Sequence, residues 1–406
     1  MCKGRTYNYE FESDCQSDKD YQITLTLISM ISIWEKESFF SPQDIVIVGN
    51  GFVGLWSAFY LKKKKPDLKI TIVDRGVIPM GASTRNAGFA CFGSLSELMY
   101  DSRTMGADKM LELVEMRYKG LKRIQKYFSK KEIDFDLCGG YELYDESDSI
   151  ASEQLCQNID YLNTLLKPIV NSKRTFKLID NTIADFGFGK TKHLIKNNLE
   201  GYLHSGKLIQ CLLQAVQSMG VQVFTNTDIN SFEKINGAIE INTNQHFNLT
   251  TRQLLICTNA FAKELLPELD IIPARGQVLV TSEINNLPWK GSFHSDEGFY
   301  YFRNLGKKVL LGGARNKAFK EEETTQMQTS NVIQNELERY LDEVIVPNHK
   351  GQYTIDYRWG GIMAMGSEKM PIIKEIEPNI FCAVRMSGMG VALAPVVGQT
   401  VSKLML

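Results

Sequence analysis

Between Asp44 and Asp74 the chain passes through a short apolar segment, a glycine-rich turn, a helix and a second apolar segment that ends in an acid. DIVIV (44–48) is rich in β-branched residues, as expected of a strand buried on both faces. GNGFVG (49–54) follows, then a helical stretch from Leu55 to Lys65 that Pro66 stops. KITIV (69–73) is a second buried strand, and Asp74 closes it. Each glycine has its own task. Gly49 makes the tight turn, Gly51 lets backbone approach a pyrophosphate, and Gly54 lets the helix pack close to the sheet. The helix N-terminus then faces the phosphates with its partial positive charge. Asp74, 20 residues past Gly54, is placed to accept from both hydroxyls of a ribose, beside Arg75. Its charge would repel a 2′-phosphate, which disfavours NADP. The fingerprint alone leaves NAD and FAD both open.

The 406 residues suffice for two domains, and 43 % apolar with 23 % charged content is that of a soluble globular protein. A formal net charge of -1 gives no general attraction to nucleic acid or anionic lipid. The basic run from Lys62 to Lys65 reads as a solvated helix end. Further buried-type strands are expected at 220–225, 253–258 and 380–384, and helices at 105–131, 151–166, 206–219 and 321–341. GGYELY (139–144) alternates like a half-exposed strand, and 272–314 is antiparallel in character. Parallel-type strands near the start, middle and end imply an α/β fold in which a Rossmann-like domain is assembled from discontinuous segments. We expect 44–104, 190–260 and 355–406 to form it, 105–189 and 261–354 to form an inserted α+β substrate domain with an antiparallel sheet, and 1–43 to be an N-terminal extension. Residues 1–29 read either as an upstream addition or as an arm packed on the body.

Eight scattered cysteines include no CxxC pair and none with a histidine at metal-ligand spacing, so neither a disulfide scaffold nor a metal site is expected. Reduced thiols suit a cytoplasmic protein. Ile23 to Trp34 is too short to span a bilayer, and the residues before it lack a basic n-region.

Three more segments bear on the cofactor: GASTRNAGFACFG (81–93), YRWGGI (357–362) and SGMGVALAPVVG (387–398). With the fingerprint, and in this order, they resemble the D-amino-acid-oxidase-like family of FAD-dependent oxidoreductases, which includes glycine, sarcosine and γ-glutamylputrescine oxidases. The likeness runs from about Asp44 to Leu406. It implies that Gly49, Gly51, Gly54 and Asp74 hold the ADP part of FAD. It places Ser83, Thr84, Arg85, Asn86, Ala87 and Gly88 along the pyrophosphate and flavin. It sets Val223 against adenine, Thr258 and Asn259 at a strand end facing the cofactor, and Gly388, Met389 and Gly390 beside the flavin O2 side. Main-chain N–H groups there can stabilise negative charge on the reduced ring. Some relatives attach flavin covalently through a histidine in the 81–94 loop or a cysteine after the Trp-Gly segment. This chain has neither residue there, so noncovalent FAD is expected.

The resemblance also implies oxidation of a substrate C–N bond by hydride transfer to flavin N5, with O2 or another acceptor reoxidising the flavin. Family members that act on free amino acids hold the carboxylate with an arginine after the Trp-Gly segment. Here Gly360, Gly361, Ile362 and Met363 follow Trp359 without one. The YRWGG form is similar to the γ-glutamylputrescine oxidase branch and favours an amine or N-substituted amino acid. Pocket candidates come from HSDEGFYYFR: Tyr301 and Arg303 share a face of a regular strand, and His294 joins them only if a turn intervenes. Arg275 and Gln277 are weaker candidates, and Trp359 is expected to pack beneath the site. Two other readings stay open: a flavin-dependent tRNA-modifying demethylase, which the lack of a basic stripe disfavours, and a non-catalytic flavin-binding protein.

Overall fold

The computed structural model describes residues 31–406 apart from 147, 149 and 246. Residues 1–30, and with them the question of an upstream addition, lie outside the described residues. What remains of the N-terminal segment is a short helix, Ile33–Ser38, closed by a reciprocal Ser32–Glu35 capping box.

Two eight-stranded sheets organise the chain. In the first, the parallel strands Gln222–Phe224, Ile70–Val73, Gln43–Val48, Asn248–Ile256 and Ile380–Val384 lie side by side in that order. Ile372–Glu377 adds an antiparallel edge, and the hairpin Ile229–Ile235 with Ala238–Thr243 hangs from the start of Asn248–Ile256. In chain order this is third, second, first, fourth, fifth, so the direction of winding reverses between Gln43–Val48 and Asn248–Ile256. A doubly wound sheet opens its ligand crevice at such a point, beyond the carboxyl ends of the strands. Val46, Ile47, Ile72, Val73, Leu254 and Ile256 are all shut from solvent, which accounts for the absence of alternation in these segments.

The second sheet runs Ile355–Met365, Ile272–Thr281, Lys308–Gly313, Tyr300–Leu305, Ser292–Ser295, Gly140–Asp145, Thr191–Asn197, Phe176–Leu178. It is antiparallel except where Ser292–Ser295 meets Gly140–Asp145. Two of its strands, Thr191–Asn197 and Ile355–Met365, come from stretches expected of the nucleotide domain. They follow the pairing offered by Gly140–Asp145 and Ile272–Thr281.

Several expected elements change. The helix over 105–131 is trimmed to Ala107–Tyr127, because Gly106, whose φ of 86° no helix accommodates, precedes its start and parts it from a separate helix, Leu95–Thr104. The helix over 321–341 shrinks to Asn331–Tyr340, because Glu322 turns inward to Arg275 and Gln277 and holds the preceding segment irregular. Gly140–Asp145 is buried on both faces rather than half-exposed, since the helix Leu95–Thr104 covers one of them. Lys63, Lys64 and Lys65 are exposed at the helix end as expected, but Lys62 is buried and donates to the Pro66 and Leu68 carbonyls. No described helix is long and apolar enough to cross a membrane.

Candidate active site

The fingerprint turn is built under tight steric control. Gly49, at φ 110°, sits where a Cβ would meet the Cys257 carbonyl oxygen at 2.8 Å, so the turn presses on the neighbouring strand end. A Cβ on Gly54 would lie 2.0 Å from the Gly49 oxygen. The helix Phe52–Lys64 thereby starts flush against the sheet, with its first N–H groups aimed past the strand ends. Asp74 Oδ2 accepts from Asn50 N–H (2.8 Å) and Oδ1 from Gly76 N–H (2.8 Å). Burial raises its pKa, opposed by these two bonds. A carboxylate accepts more than one bond per oxygen, so capacity for ribose hydroxyls remains. Arg75 points elsewhere, lying over the Phe261 ring at 3.9 Å and pairing with Glu264.

The short helix Ala82–Arg85 leans over the fingerprint helix. Ser83 Oγ accepts from Phe52 N–H at 2.9 Å, the kind of bond a phosphate oxygen would make there. Thr84 donates to the Pro79 carbonyl, and Asn86 closes the loop, donating to the Ala82 and Ser83 carbonyls and accepting from Gly88 N–H and Ser205. Three bonds fasten this loop to the second sheet. Arg85 Nη1 donates to the Gly360 carbonyl, Trp359 Nε1 to the Arg85 carbonyl, and Arg303 Nε to the Ala87 carbonyl at 2.7 Å. Gly88, at φ 74°, leaves no room for a side chain beside the Leu203 carbonyl.

Four buried polar atoms without partners test whether FAD fits. They are Asn50 Nδ2 and Oδ1, Thr258 Oγ1 and Ser387 Oγ. Their residues follow the carboxyl ends of three adjacent parallel strands, Gln43–Val48, Asn248–Ile256 and Ile380–Val384. Leaving such atoms unmet costs about 1–3 kcal/mol each. A dinucleotide laid along this edge would satisfy them, so the residues fit the group. Asn259 accepts from Met386 N–H and ties two of these strand ends together. The last turn is strained, with Arg385, Ser387 and Gly388 at φ 62°, 46° and 79° before the helix Gly390–Leu404. Strain of this kind gathers at ligand sites. Gly388, Met389 and Gly390 thus precede or open a helix aimed at the crevice, while Val223 lies on the edge strand Gln222–Phe224, two strands from the switch point.

Facing the Ala82–Gly88 loop is one row of residues set by strand register. Ile195, Glu142, His294, Tyr301, Gly312, Val278 and Trp359 pair in succession across six ladders, so all share a face. The turn needed to bring His294 beside Tyr301 is the 3-10 turn Asp296–Gly298. Phe89 touches both rings, at 5.0 and 5.8 Å. A Cβ on Gly312 would collide with the Tyr301 ring. Burial pushes the Tyr301 phenol up to about 12 and His294 down to about 4, so both are neutral near pH 7. Arg303 lies on the same face one step along. It is buried with its guanidinium over the Tyr202 ring at 4.6 Å, and burial lowers its pKa to about 10.

Arg275 and Gln277 do not join them. Alternation along Ile272–Thr281 turns Gly276 and Val278 toward the loop and sends Arg275 and Gln277 to the opposite face. There Arg275 makes a bidentate pair with Glu322 (2.8 and 2.7 Å), and Gln277 bonds Glu322 and Ser330. The sequence reasoning passed over Asn50, inside the fingerprint but at a position the glycine pattern leaves free, and Glu142, a lone acid in an aromatic strand.

Residues 44–404 match the family model described as FAD dependent oxidoreductase. The chain is 24 % identical over 387 residues to a probable oxidoreductase OrdL of Haemophilus influenzae, covering 89 % of this chain and 83 % of that protein. It is 21 % identical to a gamma-glutamylputrescine oxidoreductase of Escherichia coli, with the same coverage. Among solved structures it resembles a glycine oxidase of Geobacillus kaustophilus, at TM-score 0.72 and 16 % identity over 90 % of this chain and 94 % of that one. With Asp44 to Leu404 matched from end to end, the chain belongs to the FAD dependent oxidoreductase family.

Proposed function

We propose that this FAD-dependent oxidoreductase oxidises the C–N bond of an amine or an N-substituted amino acid. The observation that carries the reading is the row His294–Tyr301 set opposite the Ala82–Gly88 loop, with glycine at 312 leaving space for the Tyr301 ring. The names of its relatives, a gamma-glutamylputrescine oxidoreductase and a glycine oxidase, point the same way. Bound FAD would supply the hydride acceptor. The chain's own residues supply the rest. Gly49, Gly51, Gly54, Asp74 and Ser83 hold the adenosine and diphosphate, Thr84 to Gly88 line the flavin, and Gly388 and Gly390 present N–H groups to its polar edge, while the Met389 N–H holds the turn by donating to the Met386 carbonyl. Tyr301 orients the substrate nitrogen and excludes water, while Arg303 fixes the loop at Ala87. No arginine clamp for a free amino acid follows Trp359 among Gly360, Gly361, Ile362 and Met363, which favours an amine or an N-substituted amino acid. The absence of histidine from 81–94 and of cysteine from 359–371 supports noncovalent FAD.

In this reading the first sheet and its helices form the nucleotide domain and the second sheet the substrate domain. A cytoplasmic location suits the six thiols that are unpaired among the described residues. The test is anaerobic bleaching of the FAD-loaded protein by a panel of amines, N-substituted amino acids and free D-amino acids. Bleaching by the first two classes is expected. A protein that binds no FAD, or whose flavin none of them bleaches, refutes the proposal. Air reoxidation of the bleached protein then separates O2 from another acceptor.

A further inference from the structure

Behind His294, on the side away from Tyr301, lies a small cavity lined by Glu142, Asn197, Glu200, His294, Ser94 and Phe176 among others. Its walls are unusually polar for so deep a place. Glu142, Asn197 and Glu200 are 3 %, 3 % and 2 % exposed. Asn197 Nδ2 is buried with no partner, the setting in which an internal water is retained. Glu142 pairs directly with His294 in strand register, and His294 directly with Tyr301, so the three side chains stand one strand spacing apart on one face.

The two acids are held by hydrogen bonds rather than by cations. Glu142 accepts from Ser96 N–H and Oγ, and Glu200 from Phe92 N–H (2.7 Å) and Gly93 N–H. Among the described residues neither has an ion-pair partner. The cations packed nearby are already taken: Arg117 by Glu97 at 2.9 Å, and Lys369 by Asp101 at 2.5 Å and Glu97. Burial works against the ionised Glu97, but those cations hold it at about 2. Burial raises Glu142 to about 7 and Glu200 to about 8, and also raises Asp101, Tyr144 and the Cys91 thiol. Glu142 and Glu200 thus titrate near neutrality within the cavity, where His294, pushed down to about 4, stays neutral.

Oxidation of an ammonium substrate must first free a proton, because only the neutral amine carries the electron pair that drives the C–N bond toward an imine. We propose that Glu142 receives this proton through His294 and stores it in the cavity. The N–H bond of the substrate ammonium breaks and a bond forms to one imidazole nitrogen. The proton on the other nitrogen passes to the Glu142 carboxylate, directly or across one water. No electrons leave the pair, and His294 ends neutral as it began. Glu142 is a positioning residue for the proton and does not touch the substrate. The inference rests on the amine reading above.

The test compares FAD-loaded wild type, Glu142→Gln and His294→Gln. Two quantities are read: the pH dependence of anaerobic bleaching by whichever amine the panel identifies, and the infrared titration of the buried carboxyl in the resting protein. Wild type should show a bleaching midpoint near neutrality and a carboxyl that titrates over the same range. Glu142→Gln should lose the neutral bleaching midpoint and the part of the infrared signal that titrates at about 7, leaving that of Glu200 at about 8, and should slow bleaching on the order of 10²-fold. His294→Gln should slow bleaching alike yet keep the titrating carboxyl, and it carries the test if Glu142→Gln fails to hold flavin. A wild-type pH profile in either variant that holds flavin overturns the proposal alone. A flavin that no amine bleaches overturns the amine reading and the proposal with it.

Discussion

Alanine at Gly54 and at Gly51 should separate two ways of damaging the same turn. At Gly54 the new Cβ would stand 2.0 Å from the Gly49 carbonyl oxygen, 3.2 Å from its carbon and 3.4 Å from Ile47 Cγ2. All are backbone or buried strand atoms with no flexible end to swing away. The helix Phe52–Lys64 must lift from the sheet, at an overpacking cost of about 1–3 kcal/mol. Its leading N–H groups move with it, and each charge-assisted bond lost to a phosphate costs about 1.5–3 kcal/mol, or roughly 10–100-fold in FAD affinity. At Gly51 the Cβ would meet only Ser83 Oγ, at 2.9 Å, and φ there is an ordinary -82°. The serine can rotate away, so folding is nearly spared while the Ser83 bond to Phe52 N–H is lost. Thermal unfolding of the apoprotein and fluorescence titration with FAD measure the two effects. Gly54→Ala should lower both melting temperature and affinity, and Gly51→Ala chiefly affinity. A Gly54→Ala protein with wild-type melting and FAD binding, or a Gly51→Ala protein the less stable of the two, would refute the steric argument.

If the proposed site is right, Tyr301→Phe should slow anaerobic bleaching about tenfold through lost substrate orientation while leaving FAD binding within twofold. Arg275→Met should destabilise by about 3–5 kcal/mol in denaturant unfolding, because it strands Glu322 buried and unpaired, whereas Arg275→Met with Glu322→Leu should recover much of that loss. Neither should alter FAD affinity, since that network faces away from the loop. Glu142 and Glu200 titrate higher folded, at about 7 and 8, than their ordinary value of 4.5. The folded state therefore binds more protons between those limits, and stability should fall as pH rises from 4.5 through 8. Glu97 has the opposite sign: its stabilisation is present above 4.5 and fades as pH falls toward 2. Glu200→Gln should flatten the upper slope in pH-resolved unfolding, and a steeper slope would contradict the assignment.

The parts of the site legible in the sequence are those whose causes are local. Gly49, Gly54 and Asp74 sit within one βαβ unit, where chain order alone brings them together. Tyr301 and Arg303 share a face because strands alternate, and His294 joined them once Asp296 and Glu297 adopted positive φ in the turn between. What stayed hidden depends on distant partners. Arg275, already a weaker pocket candidate than Arg303, is claimed by Glu322, on another segment that nothing near Arg275 in the sequence announces. Glu142 is an acid in an apparently half-exposed strand until Ser96 and its helix cover it. The strands Thr191–Asn197 and Ile355–Met365 carry no mark of which sheet they will join, since segments of mixed polar and apolar residues can pair in either.

The central strand Gln43–Val48 finds one neighbour at Ile70–Val73 almost at once, but its other neighbour is Asn248–Ile256, and that strand in turn waits for Ile380–Val384. A ribosome adding about 5–20 residues per second needs roughly ten seconds or more to deliver the second neighbour, and longer for the third. Throughout that interval one edge of a strand that is apolar from Ile45 to Val48 is open to any other chain. The nucleotide crevice, which borrows its walls from all three strands, thus comes into being only near the end of synthesis. FAD can act as a late clamp on the finished sheet, but not as a nucleus for it, and yields of the protein in cells should depend on chaperones early and on flavin supply late.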